Sequence, residues 1–238
     1  MGPTISISKE NNESANTNNT SPKKSPQNSR NETVFLLDWD DTLMCTTFVL
    51  NRTHALSEEE EEKIINSLGE VVTIFLEECK KYGKIIIMTN SNEDWMRKTA
   101  ADFLKIRPEI FIDIKIISTR DKYLEKGIEK NKWKEIALEE LFLKYGDKIQ
   151  NLICASDSER DIDAFKKLAN AKNEINISSI KFKKRPSPFT LIRQIKFLIK
   201  NLSEIIGSNK HFYLIKERQK TDNFQFSFGS LLDYIFPN

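Results

Sequence analysis

Cysteine is scarce. Cys45, Cys79 and Cys154 make an odd number, with none of the paired spacing that a disulfide framework or a thiolate metal site requires. A reducing, intracellular and cytoplasmic setting is the expectation. Long apolar runs are missing as well: the longest, around Ile85–Met88, is a fraction of the roughly 20 residues a bilayer demands, so no membrane partner is expected. No apolar signal-peptide core stands at the start, and Pro3 spoils the loose match of Met1-Gly2 with Ser6 to a myristoylation signal. A net charge of +2 gives no argument for a nucleic-acid partner. The charge is uneven, however, with Lys181, Lys183, Lys184, Arg185, Arg193, Lys196 and Lys200 crowded together. A solvated loop and helix face is the plain reading of that stretch, and a phosphate-attracting rim the functional one. Histidine is limited to His54 and His211, both outside the motifs described below.

What is present is a chain with 39% hydrophobic and 30% charged residues, in the normal range for one folded domain with flanking segments. Residues 1–32 are Asn, Ser, Thr, Lys and Pro with almost nothing apolar to bury, and are expected to form a disordered tail. Ser21-Pro22 and Ser25-Pro26 beside Lys23 and Lys24 match sites for proline-directed kinases, a pattern common in such tails. Residues 33–206 read as the domain. In 207–238, Phe212–Ile215, the alternating Phe224, Phe226 and Phe228, and Leu231–Phe236 are too apolar for a tail. They are expected to pack on the domain as edge strands or a short helix, partly covering the site, or to dock a partner.

Apolar runs and helical spacing predict strands at 34–37, 84–88, 114–117, 152–155 and 180–182. One long helix or two short ones are predicted from a Ser57/Glu60 capping box up to Gly83, and further helices at 93–104, around 133–141, at 159–168 and at 189–202. Alternating strands and helices predict an α/β three-layer, Rossmann-like sandwich with a mostly parallel sheet. In such sheets ligands bind off the carboxyl ends of the strands. Those ends carry Asp38, Thr89 and Ser156-Asp157.

Asp38-Trp39-Asp40-Asp41-Thr42 sets two carboxylates two positions apart just past an apolar strand, a costly arrangement without a cation. Mg²⁺ takes one or two carboxylates together with water and phosphate, so Asp38 and Asp157 are candidate metal ligands, with Asp161 behind them. Thr89 and the backbone of Asn90 and Ser91, near a helix start, suit phosphate oxygens. A lysine from the Lys132/Lys134 region would neutralise remaining charge. Both positions fit, and Lys134, directly after Trp133, is preferred.

These segments resemble the motifs of the haloacid dehalogenase (HAD) superfamily of phosphohydrolases. The first stands as FLLDWDDT, the second as IIIMTNS, the third within NKWKEIALEEL and the fourth as LICASDSERD, in the superfamily's order over roughly 33–202. DWDDTL with TNS and WKEIA also looks like a group from unicellular eukaryotes, which adds no substrate. Ser156 departs from the glycine usual in the fourth motif. The resemblance implies that Asp38 accepts a phosphoryl group. It also implies that Asp40 acts as acid and then base while lending its backbone carbonyl to the metal. Asp161 would orient a metal-bound water or the lysine.

Many members carry a cap domain between motifs. Here the intervals are consumed by a flap loop and the helices ending at Tyr82, and then by one helix, one strand and a charged connector, so no large cap is expected. An open site favours bulky substrates, and phosphoproteins are the expected class. The alternatives are a nucleotide or sugar phosphate phosphatase, and a catalytically silent phosphoprotein-binding module. The intact Asp38/Asp40 pair argues against the last.

Overall fold

The computed structural model describes residues 32–51, 57–171 and 174–214. Residues 1–31, His54 and the Phe-rich stretch 224–236 lie outside the described residues. In chain order the elements are β1 (Glu32–Leu37), α1 (Thr46–Leu50), α2 (Glu58–Tyr82), β2 (Lys84–Thr89), α3 (Glu93–Asp102), β3 (Lys115–Ser118) and α4 (Thr119–Tyr123). They continue with α5 (Trp133–Tyr145), β4 (Ile149–Ser156), α6 (Glu159–Ala171), β5 (Asn176–Lys181), α7 (Pro188–Ile205) and β6 (His211–Tyr213).

The strands form one six-stranded sheet in the order β3-β2-β1-β4-β5-β6, and every pair is parallel. The order is that of Rossmann-like doubly wound folds. β1 shows why three layers form. Phe35 and Leu37 enter a core with α2 and α7, whereas Val34 and Leu36 enter the opposite core with α5 and α6. A strand buried on both faces reads as an unbroken apolar run, because successive side chains serve different layers. Among the described residues no helix is long and apolar enough to cross a membrane.

α2 opens on the anticipated capping box, with Ser57 accepting from the Glu60 amide and Glu60 accepting from the Ser57 amide at 2.9 Å. It runs unbroken for 25 residues. At Gly69 a Cβ would lie 1.8 Å from the Leu104 carbonyl oxygen, so glycine there lets the helix meet the segment after α3.

Some boundaries differ from the sequence reading. β5 begins at Asn176 rather than at 180 and ends at Lys181. Ser178 and Ser179 disguise it, yet both are buried: the Ser178 hydroxyl donates to the Ile205 carbonyl at 3.0 Å, and the Ser179 hydroxyl meets the His211 ring at 2.7 Å. The charged connector before α5 contains α4, a helix of five residues. Lys181, read as part of a solvated stretch, is buried, its ammonium donating to the Phe182 carbonyl at 2.7 Å. The C-terminal segment contributes β6 as an edge strand on β5, with Phe212 and Leu214 packed against the core.

Candidate active site

The strand order reverses between β1 and β4, which leaves a crevice at their carboxyl ends. Asp38 follows β1 directly, its amide still paired with the Ala155 carbonyl of β4 at 2.9 Å. The next residues alternate. Trp39 turns into the core, fully buried, with its indole N–H on the Thr99 hydroxyl at 2.9 Å and its ring edge-on to Phe111. Asp38 and Asp40 face the crevice, a space of about 370 Å³ also lined by Asp41, Thr46, Leu50, Asn90, Ser91, Trp95, Lys130, Lys134, Asp157, Ser158 and Asp161.

At its floor one cation serves two carboxylates. The Lys134 ammonium, from the first turn of α5, lies 2.6 Å from Asp38 Oδ2 and 2.7 Å from Asp161 Oδ2. All three side chains are buried. Burial pushes the Asp38 carboxyl up to about 7, against the pull of Lys134. Burial alone would lower the Lys134 ammonium, but the two carboxylates outweigh it and hold the proton above the ordinary lysine range. Lys132 does not enter the crevice; it is exposed and sits 3.7 Å from Glu129. Ser156 completes the floor. Its hydroxyl is 2.7 Å from Asp161 Oδ2 and 3.2 Å from Asp38 Oδ2, so its single proton favours Asp161, while its oxygen accepts from the Ser158 amide at 3.1 Å.

Asp40 is held differently, by four donors from three segments. Thr46 hydroxyl (2.7 Å) and Trp95 indole N–H (3.2 Å) donate to Oδ1, and Ser91 hydroxyl (2.6 Å) and Thr89 hydroxyl (3.2 Å) to Oδ2. Thr89 is fully buried and is not among the crevice-lining residues; its hydroxyl serves Asp40 and accepts from the Ser91 amide at 3.0 Å. Asn90 does line the crevice, and the Thr119 hydroxyl fixes its side-chain oxygen at 2.6 Å. Buried Thr42 ties the two carboxylate-bearing loops together by accepting from the Asp157 amide at 3.0 Å.

The Asp157 carboxylate has no hydrogen bond or ion pair among the described residues. Burial, and then the nearby Asp41 charge, push it up to about 6. Among the described residues no group of three or more His, Cys, Asp or Glu is arranged as a ready metal site. The cysteines offer no thiolate: all three are buried, and burial pushes Cys45 up to about 12.

Thr46, Leu50, Trp95 and Lys130 line the crevice without any signal in the sequence reading, and Asp41 entered that reading only as part of the first motif. Asp41 adopts a positive φ of 55°, tolerable for Asp, and binds the Thr47 amide at 2.9 Å, holding the start of α1. Thr46 and Trp95 meet Asp40 only through tertiary packing. Lys130 is exposed and lies in the segment before α5. The assembled arrangement couples a buried carboxylate–lysine–carboxylate floor to a second, firmly hydrogen-bonded carboxylate across an open crevice. It can present an oxygen nucleophile, manage a proton and receive an anion. No family model, curated protein or solved structure matches the chain.

Proposed function

We propose that the chain is a HAD-like phosphomonoester hydrolase without a large cap, dependent on Mg²⁺ and working through an aspartyl phosphate on Asp38, with phosphoproteins as its substrate class. The observation that carries this reading is Lys134 at 2.6 Å from buried Asp38, with Asp40 held across the same crevice. Lysine beside the carboxylate keeps it positioned and meets the charge of an incoming phosphoryl group.

The donor set fits Mg²⁺. A hard cation of this size needs only one or two carboxylates beside water and phosphate oxygens. The crevice supplies Asp157, without a bonded partner among the described residues, and Asp38 raised by burial, an excess of confined negative charge that a cation relieves. Asp38, Asp157 and the backbone carbonyl of Asp40 would hold the ion. When bound, it supplies charge screening between the phosphate and the anionic nucleophile.

The residues themselves account for the rest. Asp38 is the nucleophile, and Asp40 protonates the leaving oxygen and then takes a proton from water. Three of the four donors to Asp40 are hydroxyls, which can turn and accept, whereas the Trp95 N–H can only donate. Oδ1 therefore stays an acceptor, and the proton is carried on Oδ2, between the Ser91 and Thr89 hydroxyls. Asn90, which lines the crevice, would hold a phosphate oxygen, whereas the Ser91 amide and hydroxyl are engaged with Thr89 and Asp40.

The test is phosphate release across phosphopeptides, nucleotides and sugar phosphates, with and without Mg²⁺, by wild type and Asp38→Asn. Release that needs both Mg²⁺ and Asp38 supports the reading. An Asp38→Asn variant with substantial activity overturns it.

A further inference from the structure

Beside the crevice lies a second hollow of about 360 Å³, lined by Ser91, Asn92, Asp94, Trp95, Lys98 and Arg120. Ser91 and Trp95 line both spaces, so the two adjoin across the indole. Their charges differ in sign. The crevice sets five carboxylates against Lys130 and Lys134, whereas the hollow sets Lys98 and Arg120 against Asp94 alone. Both cations are exposed and have no hydrogen bond or ion pair among the described residues. Of the acids nearby, Asp121 accepts from the Glu93 amide at 2.9 Å and Glu93 pairs with Arg97 at 2.7 Å, whereas Asp94 lines the hollow with no such partner among the described residues, leaving two cations against one carboxylate.

We propose that this hollow binds a second anionic group, a phosphate or a carboxylate, carried by the same substrate whose phosphoryl group enters the crevice. The identity of the first group rests on the phosphatase reading above. The acidic crevice repels a second anion, and the adjoining hollow offers two unengaged cations to receive it. The substrate passes over Trp95, whose half-buried indole gives an apolar surface for the connecting atoms. A phosphopeptide with an acidic or second phosphorylated residue nearby has this chemistry, and so does a small bisphosphate.

Full-length protein should be assayed for kcat/KM on a neutral-flanked phosphopeptide, an acidic-flanked one, a doubly phosphorylated one, and a small bisphosphate with its monophosphate. Wild type is expected to prefer the second anion by about tenfold, with Lys98→Ala and Arg120→Ala each removing about threefold of that ratio and the double variant nearly all of it. Lys148→Ala, an exposed site elsewhere, should leave the ratio intact. Preference for the bisphosphate alone assigns the second anion to a small molecule. Calorimetric binding of singly and doubly phosphorylated peptides to Asp38→Asn, with and without Lys98→Ala and Arg120→Ala, separates the two readings. A second-anion affinity that depends on Lys98 and Arg120 in a chain that hydrolyses nothing removes the phosphatase but keeps the subsite. Hydrolysis and binding that are both indifferent to the second anion, or a ratio unchanged in the double variant, overturn the subsite.

Discussion

Lys134 is a cation confined between two carboxylates, and its removal would leave both buried without that counter-charge. Lys134→Ala is therefore expected to lower stability by about 3–5 kcal/mol, the usual consequence of breaking a buried ion cluster. Lys132→Ala, on the exposed side of the same turn, should change it by less than about 0.5 kcal/mol. Urea denaturation of the two variants makes the comparison, and the reverse order would displace Lys134 from its assigned role. Asp40 depends on hydrogen bonds instead. Trp95→Phe keeps an aromatic ring but deletes the indole N–H, among the described donors to Asp40 the one that cannot become an acceptor. Loss of that charge-assisted bond should cut kcat by about ten- to a hundredfold with a smaller change in KM. An unchanged kcat would mean that Trp95 does not hold Asp40 in the acid–base role proposed for it. None of these tertiary bonds to Asp40 was legible in the sequence. Trp95 stands 55 positions from Asp40, and nothing local marks an indole that reaches another segment.

Elements whose burial matches their local pattern were the ones read correctly. α2 announces itself through Ser57, Glu60 and an apolar stripe, and is found with both halves of the capping box formed. Ser57→Ala should cost about 1 kcal/mol in a thermal melt while leaving the crevice untouched. An unchanged melting temperature would show that the cap is not formed in solution. β5 was harder to place, because buried Ser178 and Ser179 look polar until their hydrogen bonds to Ile205 and His211 are known. Gly69 was silent for a similar reason: its requirement comes from Leu104, 35 positions away. Gly69→Ala forces backbone apart and should destabilise by roughly 1–3 kcal/mol, as overpacking does. Retention of wild-type stability would show that α2 and the Leu104 segment are not in close contact.

At the scale of the whole molecule, the α/β layering and the parallel sheet follow from alternating strands and helices, and six parallel strands in doubly wound order are what the chain forms. That order carries Asp38, Asp40, Lys134, Asp157 and Asp161 from distant segments to one crevice. The same confinement makes stability depend on pH. Asp38 and Asp157 rise from the usual carboxylate range to about 7 and about 6, so the folded chain binds more protons than the unfolded one between those limits. Their contribution is present below about pH 4 and is lost as pH rises through 6 and 7. In chelator, the part of the denaturation midpoint due to these groups should fall from pH 5 to pH 8, with Mg²⁺ restoring it at the higher pH. A midpoint that rises over that interval in chelator would contradict the assignment. The central claim, that Asp38 is a covalent nucleophile, is tested most directly by mass spectrometry of the intact chain, acid-quenched during turnover of a phosphopeptide with Mg²⁺ and then mapped by proteolysis. The account predicts one phosphoryl group on the peptide carrying Asp38, absent from Asp38→Asn and accumulating in Asp40→Asn, where its hydrolysis is slowed. Steady turnover with no phosphoryl group on that peptide in either wild type or Asp40→Asn would contradict it.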